Sequence, residues 1–147
     1  VVASPRYLAD RSVPTRPADL AAHDCLHYTL SQPVDAWAFE GAGGTKSTPI
    51  KARLAANNGD VLAQAAIEGA GIAMLPDFIV GTALADGRLV ELDLGARPTG
   101  IAIHAVWPAG RLTPAKTRVF IDFLVDQLGE SGARRAPIAP VAEPEQG

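Results

Sequence analysis

Short apolar runs alternate along the chain with stretches whose apolar residues recur every three or four positions, and each pattern predicts its own kind of element. Val1, Val2 and Ala3 read as the end of a strand. Ser4-Pro5 then opens a short helix over residues 5–11, with serine as N-cap and proline at the first helical position. Pro17 opens a second small helix through Ala22, after a polar link at residues 12–16. Residues 25–29 read as a strand, followed by a turn at Gln32-Pro33. Residues 36–40 and 48–54 flank Gly41-Ala42-Gly43-Gly44 and predict a β-hairpin closed by a glycine loop. Helical spacing returns at Val61, Leu62, Ala65 and Ala66, preceded by capping residues at 57–60 and stopped by Gly69 and Gly71. Gln64 and Glu68, four apart, fall on its solvent side. Residues 72–75 predict a buried strand closed by Pro76, residues 78–85 a helix stopped at Asp86-Gly87, and residues 89–94 another strand.

Residues 101–107 are almost continuously apolar, the pattern of a strand covered on both faces. The longest helix spans residues 114–128, capped by Thr113 and opened by Pro114. Phe120, Phe123, Leu124 and Leu128 fall on one side of it, Arg118, Asp122 and Asp126 on the other. Residues 130–147 hold Pro137, Pro140 and Pro144, have no apolar period, and read as a disordered tail. Alternating strands and helices predict an α/β fold with a substantially parallel sheet and right-handed crossovers.

Composition narrows the function classes. The 147 residues suit one ordinary domain, and 48% hydrophobic content is enough for a core. With only 5% aromatic residues, aliphatic side chains must fill most of it. A net charge of −3 is wrong for a domain that grips phosphate backbones, and Arg134-Arg135 is too short a basic cluster to change that. The chain alone is therefore not expected to bind DNA specifically. No apolar run is long enough for a membrane helix. There is no secretory leader, and one cysteine cannot form an internal disulfide, so a cytoplasmic location is expected. The opening on a strand without an initiator Met reads as the middle of a longer protein.

Candidate chemistry is sparse. In His23-Asp24-Cys25-Leu26-His27 the alternate residues of a strand offer two imidazoles and a thiol to one side. A structural zinc site needs a fourth ligand that this chain does not offer, so no metal is expected, with His23 ending the preceding helix and Cys25 a small buried hydrophobe. Gly69-Ala70-Gly71 follows a helix and precedes a strand, the reverse of the order that dinucleotide binding requires, and predicts a helix stop and a close helix–sheet approach. His104, inside an apolar strand, reads as a core residue. Asn57-Asn58-Gly59-Asp60 lies where a strand gives way to a helix. Unpaired N–H groups there attract anions, and Gly59 would let a ligand approach the backbone. The residues alone leave both a well-capped helix and a small-ligand site open. Nothing resembles a Ser-His-Asp set, a catalytic carboxylate pair or a phosphate loop, so neither an enzyme nor a cofactor is expected.

Several segments together resemble the effector-binding region of bacterial LysR-type transcriptional regulators. They are VVASPRYLADRSVPTRPADLAAHDCLHY, AWAFE, RLAANNGDVLAQAAIEGAGIAMLPDFIV, GRLVELD and IAIHAVWPAGRLTPAKTRVFIDFLVDQL, which cover residues 1–129. The resemblance implies a Rossmann-like, type 2 periplasmic-binding-protein-like architecture of two subdomains with an effector cleft between them. One subdomain is nearly complete here and the other only partly present. Residues 1–104 would form the second subdomain, residues 105–129 the crossover strand and terminal helix of the first, and residues 130–147 the tail. The winged helix-turn-helix, the linker helix and most of the first subdomain are missing, so a carboxy-terminal portion of a regulator is expected. The apolar side of the last helix would then lack the sheet the family packs against it, leaving the helix loosely attached or self-associating.

The implied function is to sense a small organic effector, an anion or polar metabolite. DNA would be reached only through the missing domain, the full-length protein would be a homo-oligomer, and no membrane would be involved. By the same resemblance Asn57 falls where the family places a polar ligand contact, with Asn58 and the Gly59 backbone beside it. Pro76 would line the cleft floor, and Thr29 follows the strand at its edge. The alternative is a stand-alone solute-binding or enzymatic α/β domain, against which the missing leader and catalytic set both count.

Overall fold

The computed structural model describes residues 1–30, 35–41, 44–100, 106 and 115–129. The chain divides into two compact units, Val1–Ile101 and Ala102–Gly147.

In the first unit β1 (Val2–Ala3), α1 (Pro5–Leu8) and a 3-10 helix (Pro17–Ala22) lead into β2 (Asp24–Tyr28). There follow β3 (Ala36–Gly41), β4 (Gly44–Pro49), β5 (Lys51–Ala56), α2 (Gly59–Ile67), β6 (Ile72–Ala73), α3 (Asp77–Ala85), β7 (Val90–Glu91) and β8 (Arg97–Pro98). Five strands form one sheet in the order β5-β2-β6-β1-β7, and three form another in the order β4-β3-β8. The first sheet is mixed rather than substantially parallel. β2 runs parallel to β5 and β6, whereas β1 is antiparallel to β6 and β7. The helical crossover from β5 through α2 to β6 enforces parallel strands, but no crossover sets the direction in which β1 enters the sheet. Every pairing of the second sheet is antiparallel.

Side chains alternate across the five-stranded sheet. Ala3, Cys25 and Ile72 join a core with Tyr7, Leu20, Trp37 and Phe39, while Val2, Leu26 and Ala73 join a second core with Leu62, Ala66 and Val80. Two aromatics of β3 thus supply much of the bulk in the first core, and α2 and α3 cover the second.

The expected hairpin forms between β3 and β4, but the run at residues 48–54 is cut in two. Thr48 and Pro49 end β4, and Lys51–Ala56 becomes β5 of the other sheet. Pro49 carries no N–H, and at the junction the Ile50 N–H donates to the Asp35 carbonyl at 3.0 Å. Two-residue β8 carries no alternation that a sequence reading could detect, yet it pairs Arg97 with Glu40 and Pro98 with Phe39. Gly71 enters β6 so close to β2 that a Cβ would lie 2.5 Å from the Asp24 carbonyl oxygen. The close approach is thus between two strands rather than between helix and sheet, while the helix stop forms as expected, with Gly69 N–H donating to the Ala66 carbonyl at the end of α2. The first-turn residue Val61 is exposed, and α2 turns Leu62, Ala63 and Ala66 inward instead.

In the second unit α4 (Ala115–Gly129) has Val119, Phe120 and Phe123 exposed, with Leu124 half-buried. The turn at Gln32-Pro33, the strand at 101–107 with His104, the Thr113-Pro114 cap and the tail at 130–147 lie outside the described residues. Among the described residues, no helix is long and apolar enough to cross a membrane.

Candidate functional site

Strands β5, β2 and β6 run parallel, so their carboxy ends lie on one edge of the sheet, where α2 leaves β5 and α3 leaves β6. Tyr28 pairs with Ala56 and Leu26 with Ala73. The Thr29 N–H donates to the Ala56 carbonyl at 3.0 Å, carrying the ladder one step past β2. Asn57 and Thr29 thus lie one step past the last paired residues of β5 and β2, while Pro76 follows the end of β6 by three residues. In open α/β sheets, ligands sit outside the carboxy ends of the strands. Asn57 and Thr29 are exposed, and half-buried Pro76 is the N-cap of α3.

Asn58 has a different task. Its side-chain oxygen accepts from the N–H groups of Asp60 (2.9 Å) and Val61 (3.3 Å), and its carbonyl accepts from Leu62 at 3.4 Å. The start of α2 is therefore largely satisfied from within, leaving the Gly59 N–H as the amide of the first turn without a partner among the described residues. Nor does the missing side chain of Gly59 face a ligand. A Cβ there would lie 2.5 Å from Cδ1 of Ile79, so the glycine is what lets α2 approach α3. The same edge carries three large exposed apolar residues that the sequence patterns do not reveal: Leu30 (70%), Val61 (50%) and Phe78 (72%).

His23, Cys25 and His27 do not form a metal centre. Among the described residues no group of three or more His, Cys, Asp or Glu is placed to hold a metal. His23 Nδ1 lies 3.2 Å from the Tyr7 hydroxyl, which accepts from the Asp24 N–H at 2.9 Å. Burial, and then the Arg11 charge, push the His23 pKa below its ordinary value of 6.5, so the ring is neutral at pH 7. Arg11 stacks over the Tyr7 ring at 4.3 Å, and Arg53 pairs with Asp24 at 3.1 Å. Burial, helped by the Asp24 charge, pushes the Cys25 thiol up to about 12. Such a thiol is a poor nucleophile at neutral pH. His27 is 2% exposed, and neither ring nitrogen has a partner among the described residues.

Two open depressions lie elsewhere. One of about 550 Å³ is lined by Glu40, Gly41, Asp93, Gly95, Ala96 and Arg97; a neighbour of about 430 Å³ reaches Val1, Leu92 and Pro98. Neither is lined by Asn57, Thr29 or Pro76, which border an open ledge at the carboxy edge.

Residues 1–129 match the family model of the LysR substrate binding domain. The chain is 36% identical over 134 residues to the HTH-type transcriptional regulator CrgA of Neisseria meningitidis, covering 89% of this chain and 44% of CrgA. It is 35% identical over 135 residues to the regulator PtxR of Pseudomonas aeruginosa, covering 92% of this chain and 43% of PtxR. The chain thus spans less than half the length of these relatives. In structure it is similar to the CrgA regulatory domain, with a TM-score of 0.68 at 33% identity over 87% of this chain and 63% of that one. It is also similar to full-length AphB of Vibrio cholerae, with a TM-score of 0.65 at 28% identity over 86% of this chain and 43% of AphB. The mixed sheet, the helices beginning at its carboxy edge and the match over residues 1–129 agree: the chain belongs to the LysR substrate-binding domain family, with its type 2 periplasmic-binding-protein-like fold.

Proposed function

We propose that this chain is the effector-sensing part of a cytoplasmic LysR-type transcriptional regulator and has no catalytic activity. A small organic molecule binds at the ledge of Asn57, Thr29 and Pro76, while Asn58 and Gly59 hold the start of α2 in place. The observation that carries this is the position of Thr29 and Asn57, both exposed, just past the carboxy ends of the parallel pair β2 and β5. In this reading residues 1–104 are one subdomain, residues 105–129 begin the return into the other, and residues 130–147 are a tail. The facing wall of the cleft and the helix-turn-helix belong to other parts of the regulator, which acts as a homo-oligomer. Relatives named as transcriptional regulators count against a stand-alone solute carrier or enzyme.

The test is a reporter assay on a regulator that carries this chain. Asn57→Leu is expected to weaken the response to effector at least about tenfold, the loss of one or more good hydrogen bonds, with operator binding unchanged. An unaltered dose response removes Asn57 from the site.

A further inference from the structure

The geometry points to a second binding site, apart from the ledge, where Glu40, Asp93 and Arg97 take a small zwitterion bearing an ammonium group and a carboxylate. The site does not depend on the effector reading above. It is the depression of about 550 Å³ lined by Glu40, Gly41, Asp93, Gly95, Ala96 and Arg97. That volume lies within the range of about 300–1,000 Å³ common to small-molecule sites.

Burial decides which side chains are free to reach a ligand there. Phe39 is buried in the first core, so the next residue of β3, Glu40, turns the other way and is exposed. Leu92 and Leu94 enter the same core, which leaves Asp93 and Gly95 exposed. The backbone of this corner is held at several points. Leu92 N–H donates to the Val1 carbonyl at 2.9 Å, and Gly95 N–H donates to Oδ1 of Asp93 at 2.9 Å. The register of β3 with β8 then sets Arg97 opposite Glu40. Gly95 has a φ of +62°, which glycine adopts without strain and which closes the turn between Asp93 and Arg97.

The charges on this frame are uncompensated. Residues directly opposite across antiparallel strands share a face, where an acid and a base attract each other. Yet neither Glu40 nor Arg97 has an ion pair among the described residues. Asp93 accepts the Gly95 N–H and has no cationic partner among them either. Arg11, Arg16, Arg53 and Arg88, by contrast, each pair with a carboxylate. A guanidinium presents a fork of N–H donors that fits a carboxylate, and a carboxylate accepts from an ammonium. A ligand carrying both groups therefore satisfies Arg97 and the two acids together, whereas an acid without an amine leaves Glu40 and Asp93 unmatched. Two carboxylates against one guanidinium favour a second ammonium, as in a diamino acid.

The experiment titrates the full 147-residue chain with ornithine and with alanine. Sodium acetate and methylammonium chloride, at equal ionic strength, are the single-charge controls. Amide signals of Gly41, Gly95 and Ala96 are followed beside those of Thr29 and Asn57. The expected result is that ornithine, and more weakly alanine, moves the first set and leaves the second in place, while neither control does so at the same concentration. Arg97→Gln and Glu40→Gln, both at exposed positions, are each expected to weaken binding about tenfold with an unchanged melting temperature. Equal shifts with acetate or methylammonium alone mean a simple ion contact and overturn the inference, as does unchanged binding by either variant. No movement of Gly41, Gly95 and Ala96 overturns it as well. Movement confined to Thr29 and Asn57 does the same while supporting the ledge as the effector site.

Discussion

At the residue scale, His23 and Cys25 show how burial silences groups that look reactive in a sequence. The unfolded His23 takes up a proton as the pH falls through about 6.5, while the folded ring, with its lowered pKa, resists. Between pH 7 and the folded pKa the unfolded state therefore binds more protons, so stability falls on acidification and levels off once the folded ring is also charged. Urea denaturation at pH 7, 6 and 5 is expected to show this loss, and His23→Gln to flatten it; equal slopes for the two proteins would exclude His23 as the source. Cys25 is expected to resist thiol-disulfide reagents in the folded protein. With a pKa of about 12, only about one part in ten thousand is thiolate at pH 8. Dithionitrobenzoate should react at the rate of unfolding, and rapid reaction of the native chain would contradict the burial. The His-x-Cys-x-His spacing was legible, but whether three side chains meet depends on their neighbours. Here Tyr7 takes one imidazole and a core takes the thiol.

At the element scale, the start of α2 separates two adjacent asparagines that look equivalent in the sequence. Asn58 caps the helix through two N–H groups, whereas Asn57 is exposed on the ledge. Asn58→Ala is thus expected to cost about 1 kcal/mol of stability, the usual loss of an N-cap, and Asn57→Ala less than about 0.5 kcal/mol. Thermal or urea denaturation checks the difference, and equal losses would mean that the cap is shared. Both the helix and its cap were legible from Asn57-Asn58-Gly59-Asp60. The helix phase was not, because Val61, Leu62, Ala65 and Ala66 span an arc wider than the buried face. Contact with the sheet and with Ile79 of α3 selects Leu62, Ala63 and Ala66 and leaves Val61 in water. Likewise Ile50 sits inside the single strand expected at residues 48–54, but the sheets on either side of it make that stretch two strands.

At the scale of the whole molecule, a net charge of −3 leaves little to attract a phosphate backbone. A gel shift at low salt with the operator of a regulator carrying this chain is expected to show no sequence-selective complex, and a salt-resistant one would overturn that. The alternating strands and helices, the capped start of α2 and the spacing shared with LysR-type regulators were determined by the sequence alone, because periodicity, caps and turn residues act locally. The mixed direction of the sheet, the pairing of β8 with β3, the placing of Thr29 beside Asn57 and the burial of His27 were decided only by the tertiary structure. Register between strands distant in the chain depends on which faces are buried together, and no local pattern carries that information.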